Sequence, residues 1–337
     1  MSVTIKDVAQ RSGISVATVS KYLNGVPVRP KTAEKIAQAI QELNYRPNLL
    51  ARGLRNSSSM TLGILVENIT NNFYTNIISL LTDNLRKRGY SCLIHEVLNM
   101  EAEKVSSALD FLASKSVDGL FILSNRIPTE LIDKMNNLFS NIVVVDNYTP
   151  GLVADFVFTD NLSAAYHATE QFLIRNHQSI AIITGFSDCF TAHERLNGYL
   201  RAVQDYGITL NKDLIFQENY DMNGGYNAFK QLWNLPASQR PSAVLVTSYF
   251  MTVGTIIALN EYGLSIPQDI SLICFDNYDI NKVFKPSLSC VTQPTEAICR
   301  QAADYMLERI SQHVCDSRIA RLSPRFDQGE SVNTRSL

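Results

Sequence analysis

Two aspartates close apolar runs in this chain, Asp146 in VVVDN and Asp276 in ICFDN, and Arg195 lies early in the helical pattern TAHERLNGY. A carboxylate or guanidinium bonds two neighbouring hydroxyls at once. The three facing one cleft therefore suit a polyhydroxylated ligand. Other chemistries lack their residues. No Gly-x-Gly-x-x-Gly follows an apolar run and no Gly-x-x-x-x-Gly-Lys occurs, so nothing is arranged to cradle a nucleotide. No Ser/His/Asp set presents itself. The six cysteines are scattered without a Cys-x-x-Cys pair and read as reduced core thiols, with no metal site and no cofactor expected.

A second chemistry sits near the N-terminus in SVATVSKYLNG, Ser15 to Gly25. Read as a helix starting at Ser15, its first turn presents Val16 and Ala17, then the hydroxyls of Thr18 and Ser20, with Lys21 its one charge. A helix start that must approach base edges closely needs short side chains. Val16 and Ala17 suit thymine methyls, while Thr18, Ser20 and Lys21 reach phosphates or base acceptors. Charge agrees: residues 1–56 hold nine basic and three acidic side chains, whereas the remainder holds 21 basic and 29 acidic. A basic head on an acidic body is suited to meet a polyanion.

These residues need elements to position them. In VTIKDVAQRSGIS, Thr4 caps a helix with Asp7 three residues on, Ile5, Val8 and Ala9 fall at helical spacing, and Gly13 breaks the helix. Ser15 caps the next, so the pair reads as a helix-turn-helix. A third helix follows in RPKTAEKIAQAIQELNY, with Pro30 in its first turn and Ile36, Ile40 and Leu43 on one face; Pro47 is expected to end it. Asn48 then caps a short helix with Leu50 and Leu54 on one face, and Ser57 to Ser59 form a flexible exit. From Leu62 the chain alternates short apolar runs (LGILVE, SCLIHEV, GLFILS, NIVVVD, IAIITG, SAVLVT, ISLICFD, LSCVTQ) with helical patterns. Continuous apolar strands separated by helices indicate α/β architecture with doubly wound parallel sheets. A body of this length divides better into two lobes than one. No apolar run approaches the ~20 residues that span a bilayer, and the first 25 lack a signal peptide's apolar stretch, so a cytoplasmic protein without membrane contact is expected.

The motifs VTIKDVAQRSGISVATVSKYLNG and ELNYRPNLLARGLR resemble the lactose and galactose repressor (LacI/GalR) family, and the likeness continues to about residue 325. The resemblance implies a helix-turn-helix headpiece (1–47), a hinge helix and linker (48–59), and a periplasmic-binding-protein-like body with a first lobe at 60–160 and 290–325 and a second at 161–289. It implies DNA contacts at Thr4, Ser15, Val16, Ala17, Thr18, Ser20, Lys21, Asn24, Tyr45, Asn48, Ala51, Leu54 and Arg55, with Leu54 as a wedge that kinks the operator from the minor groove. Lys21 stands where many members carry Arg. Arg195 and Asp276 match the principal effector contacts, Tyr220 a stacking aromatic, Phe73 and Tyr74 the first-lobe wall, and Thr191 and Gln293 further contact positions. Ser248 and Tyr249 replace the family's usual Asn-Asp or similar pair, which should change the preferred hydroxyl or charge pattern. Arg195, with His193 and Arg126, would also suit an acidic sugar.

The expectation is a transcriptional regulator, a repressor, that binds a near-palindromic double-stranded operator as a homodimer and responds to a sugar, sugar acid or related metabolite. No leucine heptad follows Ile310, so a tetramer-forming tail is not expected. The alternative is a sugar-processing α/β enzyme carrying a DNA-binding head, which a general base or phosphate loop would favour.

Overall fold

The computed structural model describes residues 3–23, 26–45, 58–278, 283–312 and 314–335. It divides into two units, Met1–Met60 and Thr61–Leu337.

In the head, α1 (Ile5–Ser12), α2 (Val16–Leu23) and α3 (Pro30–Glu42) pack around Val8, Ala9, Val19, Ile36 and Ala39. The Thr4 amide and hydroxyl both donate to the Asp7 carboxylate, at 2.7 and 2.8 Å, and those bonds lower the Asp7 pKa. Gly13 ends α1 in the left-handed region, φ 67°, where a side chain would be strained. Ser15 Oγ then accepts from the Thr18 amide at 3.3 Å and caps α2. Pro47 does not end the third helix. It closes at Glu42 because the chain turns at Asn44, φ 45°, and the Tyr45 amide folds back to the Ile40 carbonyl at 2.9 Å. The expected hinge helix at 48–54 and the serine exit at Ser57 lie outside the described residues.

The body runs β1 (Thr61–Val66), α4 (Asn72–Arg86), β2 (Ser91–Glu96), α5 (Ala102–Ser114), β3 (Gly119–Leu123), α6 (Ile132–Leu138), β4 (Ile142–Val145) and β5 (Asp155–Thr159). Next come α7 (Asn161–Leu173), β6 (Ile180–Thr184), α8 (Phe190–Asp205), β7 (Ile215–Gln217), α9 (Met222–Trp233), β8 (Ala243–Val246), α10 (Tyr249–Glu261) and β9 (Ser271–Phe275). It ends with β10 (Ser289–Thr292), α11 (Thr295–Gln312), β11 (Ile319–Leu322) and β12 (Arg325–Asp327). The first sheet has the order β11-β5-β4-β3-β1-β2 and is parallel throughout. The second is β12-β10-β9-β8-β6-β7, parallel except for its antiparallel edge β12. Buried clusters line both faces of each sheet, which is why the strands read as unbroken apolar runs.

Three segments cross between the lobes: β5 to α7, β10 to α11, and β11 to β12. The expected lobe boundaries at 289 and 325 move accordingly. Residues Ser289–Thr292 pair with β9 and belong to the second sheet, because Cys290 and Val291 are core positions there. Residues 325–335 also finish in the second lobe, where Ser331 Oγ donates to Leu272 and the Asn333 carbonyl meets His177 Nε2 at 3.0 Å.

Two internal devices hold the lobes. In the first, the fully buried Asp155 receives Arg309 Nε at 2.9 Å and Arg318 Nη2 at 2.7 Å, pinning α11 and the start of β11 to β5. In the second, α9 and α10 touch backbone to backbone at Gly225 and Gly254. A Cβ at Gly254 would lie 1.9 Å from the Met222 carbonyl oxygen.

Candidate functional site

A parallel α/β sheet ends its strands at one edge and starts its helices there, so loops at that edge gather side chains from many elements. Between the two lobes these edges face each other across a cavity of about 40 Å³. All ten residues expected at the effector site line it: Phe73 and Tyr74 in the first turn of α4, Asp146 after β4, Thr191 and Arg195 on α8, Tyr220 before α9, Ser248 and Tyr249 at the start of α10, Asp276 after β9 and Gln293 after β10. Sequence reasoning missed five more: Asn71, Asn72, Asn125, Phe250 and Tyr278. Asn125 follows β3 as Asp146 follows β4, so the strand-end rule already marks it.

Asp146 and Asp276 occupy equivalent places in the two lobes. Each adopts left-handed backbone, φ 67° and 70°, and each amide donates to the neighbouring strand, to Val157 at 3.0 Å and Val291 at 2.9 Å. Aspartate tolerates this conformation better than most residues. Asp276 is held on one side: Gln293 Nε2 donates to its Oδ1 at 2.6 Å, and Thr159 Oγ1 donates to Gln293 Oε1 at 2.7 Å. Thr159 and Gln293 stand at two of the lobe crossings, so this chain of bonds ties the cleft to the hinge. Burial raises the Asp276 pKa against the opposing effects of Arg195, Gln293 and the Tyr249 amide. Asp146 has no such support. Its Oδ1 is buried without a hydrogen-bond partner among the described residues, as is the Tyr220 hydroxyl. Burial pushes its carboxyl up to about 7, Arg195 opposing and the charges of Asp276 and Glu67 adding to the rise.

Arg195 is 4% exposed and, among the described residues, forms no ion pair between lobes. Its Nε donates to Asn161 Oδ1 at 2.8 Å, its Nη1 donates to the Thr247 carbonyl at 2.5 Å, and the guanidinium lies 4.4 Å over the Phe275 ring. Those bonds fix it in the second lobe. Ser248 caps α10, its Oγ accepting from the Met251 amide at 3.3 Å. Tyr249 meets Tyr278 edge to face at 5.0 Å, narrowing the cavity. Tyr220 lies against Gly185, where a Cβ would sit 2.6 Å from its ring. His193 is exposed and bonds Asn197, while Arg126 Nε donates to Cys189 Sγ at 2.9 Å beside Asp188. Neither lines the cavity.

The lobes also grip each other outside the cavity. Phe190, from the second lobe, packs edge-on to Phe158 at 4.9 Å, and its amide donates to the Asn125 carbonyl at 3.3 Å. Arg321 on β11 pairs with Glu194 on α8 at 2.6 Å.

In the head, Thr4, Ser15, Ala17 and Lys21 are exposed, and Thr18 and Ser20 are half-buried. Val16 and Tyr45 rest partly against the head's own core. Thr4 already serves Asp7, and Ser15 and Thr18 share a bond of 2.9 Å, so these hydroxyls have partners inside the head. Asn24, Asn48, Ala51, Leu54 and Arg55 lie outside the described residues.

Residues 4–48 match the family described as bacterial regulatory proteins, lacI family, and residues 169–332 match a periplasmic binding protein-like domain. The chain is 31% identical over 333 residues to the HTH-type transcriptional repressor PurR of Vibrio atlanticus (strain LGP32), covering 98% of this chain and 99% of that one. This chain belongs to the lacI family. It is a DNA-binding transcriptional regulator built from a helix-turn-helix head and a two-lobed body. Its fold is that of the lac repressor dimer bound to operator and the anti-inducer ONPF, with a TM-score of 0.87 at 21% identity over 99% of this chain and 100% of that one. The transcriptional regulator CelR in its cellobiose complex is similar too, with a TM-score of 0.75 at 24% identity over 98% and 99% of the chains. No helix among the described residues is long and apolar enough to cross a membrane.

Proposed function

We propose that this regulator is a cytoplasmic homodimeric repressor whose affinity for a near-palindromic operator is set by a small polyhydroxylated effector bound between the lobes. The observation that carries the reading is the convergence of ten residues from both lobes on one cavity, where the Asp146 Oδ1 and the Tyr220 hydroxyl are buried without partners among the described residues. A buried polar atom left unsatisfied costs about 1–3 kcal/mol, which a ligand supplying the missing bond recovers. A cellobiose complex of a similar fold supports a sugar as that ligand. At roughly 10–15 Å³ per water, the cavity holds about three waters. A sugar ring enters only as the lobes part or as Tyr249 and Tyr278 turn aside. Binding thus selects between two lobe arrangements, and the differential affinity for them is the allosteric coupling. Ser15, Val16, Ala17, Thr18, Ser20 and Lys21 present the major-groove face of α2, with Thr4 and Tyr45 at its flanks.

The test is a mobility-shift titration of an operator selected from random DNA, with full-length protein and with a chain starting near Thr61, each with and without a panel of sugars. The reading expects operator binding by the full chain alone and a shift of its affinity by one class of sugar. Equal binding by both chains removes the head from DNA recognition, and turnover of a panel member would move the protein to the enzymes.

A further inference from the structure

The contacts that join the lobes outside the cavity gather on the first two turns of α8 and the loop just before it. From the first lobe Arg126 reaches across: its Nε donates to Cys189 Sγ at 2.9 Å and lies 3.5 Å from Asp188 Oδ2. This arm is held from behind. The Arg126 amide donates to Ser124 Oγ at 3.0 Å, Ser124 Oγ donates to Glu67 at 2.8 Å, and the Glu67 carboxylate attracts the guanidinium from its own lobe. Further along α8, Glu194 holds Arg321 at 2.6 Å, and the same guanidinium lies 4.0 Å from Asp160 and 5.1 Å over the Phe158 ring. Between the two arms in sequence stands Phe190, its amide on the Asn125 carbonyl and its ring against Phe158 and, at 6.4 Å, Tyr148.

Residues 190 and 194 form one row of α8, and Thr191 and Arg195, which line the cavity, form the next. A rigid helix cannot withdraw Thr191 and Arg195 from the cavity without breaking the contacts of Phe190 and Glu194. At about 40 Å³ the cavity has no room for a sugar ring, so the lobes are kept at this spacing by contacts within the protein itself. We propose that the start of α8 is a clasp that holds the lobes closed over the cleft, with Arg126 and Arg321 as its ionic arms, and that ionic strength loosens it. The inference concerns the lobes alone and stands whichever ligand enters between them. Both arms lie at the surface: the side chains of Arg126, Asp188 and Arg321 are 33%, 65% and 45% exposed. Dissolved ions screen such pairs within about 10 Å at 0.1 M salt, whereas the apolar contact of Phe190 is not weakened. An exposed ion pair moves an equilibrium by up to about fivefold, so the two arms let salt tune the ratio of open to closed lobes. The apparent affinity of any ligand that needs the lobes apart falls with the closed fraction.

The test follows the lobes directly in the full-length chain. Nitroxides at Asn137 and Gln204, exposed positions on the two lobes, report their separation by double electron–electron resonance. Coupling through ketone-bearing residues spares the six cysteines, and an excess of unlabelled chain keeps one labelled copy in each dimer. In wild type at low salt one distance dominates, and molar salt raises the population of a second. Arg126→Gln and Arg321→Gln each raise the open-to-closed ratio at low salt by up to about fivefold. Arg321→Lys, which keeps the charge, raises it less, and the double glutamine variant no longer responds to salt. A thermal melt checks the fold of each variant, and where one fails to fold the salt response of wild type decides. Wild-type distances that salt leaves unchanged, glutamine variants indistinguishable from wild type, or a double variant with the wild-type salt response overturns the proposal.

Discussion

Replacing Asp276 by asparagine separates sensing from folding, because the two effects of the change have opposite signs. The amide keeps the shape of the carboxylate and suits its left-handed backbone. With the amide oxygen toward Gln293, the 2.6 Å bond survives, but the NH2 then replaces the second carboxylate oxygen, and the charge that the Tyr249 amide supports is gone. One acceptor and the negative charge are lost. Hydrogen bonds to charged groups contribute about 1.5–3 kcal/mol, so effector affinity should fall roughly 10- to 150-fold. Folding stability should move little. The Asp276 pKa is raised by burial, which means its charge is unfavourable in the folded state, and asparagine relieves that cost while giving up the bond from Tyr249. Asp146, no longer beside that charge, should titrate below its value of about 7. Calorimetric titration with the effector, a thermal melt and operator binding without effector are the three assays. Effector affinity within twofold of wild type would refute Asp276 as a contact. A collapse of operator binding without effector would show that the residue is structural.

Other consequences follow from particular distances. Gly185→Ala places a Cβ 2.6 Å from the Tyr220 ring, so the ring must move, and calorimetry should show weaker effector binding with little change in operator affinity. Asp155→Asn leaves Arg309 buried without its counter-charge and should cost about 3–5 kcal/mol in urea unfolding. Against the cost of burial, Arg318 and Arg309 hold the Asp155 carboxyl below its ordinary 3.8. Its stabilisation is therefore complete above that value and fades as pH falls through the folded value, an acid dependence the variant should lack. Lys21→Ala should lower the slope of log affinity against log salt by about one unit, and an unchanged slope would place Lys21 off the phosphate backbone.

Local signals made the head's helices legible, because caps and spacing act within a few residues: Thr4 with Asp7, Gly13, Ser15. The end of α3 was not, since a left-handed Asn44 leaves no mark as plain as a proline. In the body, apolar runs marked the doubly buried strands. Asp155–Thr159 escaped because it opens with a charged residue whose burial depends on Arg309 and Arg318, 154 and 163 positions away. Ile319–Leu322 escaped because an edge strand with alternating exposure and an arginine carries no such run. The lobe boundaries slipped for the same reason, as a chain that crosses three times is sorted by pairing that no local pattern records. At the cleft, strand ends located both aspartates, and family likeness supplied most of the rest. Tyr278 was missed because it lies three residues beyond the end of its strand, in a loop whose path depends on tertiary contacts.

Operator affinity measured as a function of effector concentration tests the central claim most directly. The account predicts a single saturable shift in affinity for wild type, displaced to about 10- to 150-fold higher effector in Asp276→Asn with the effector-free affinity unchanged. An operator affinity that no cleft ligand moves, or a shift that Asp276→Asn leaves in place, would contradict it.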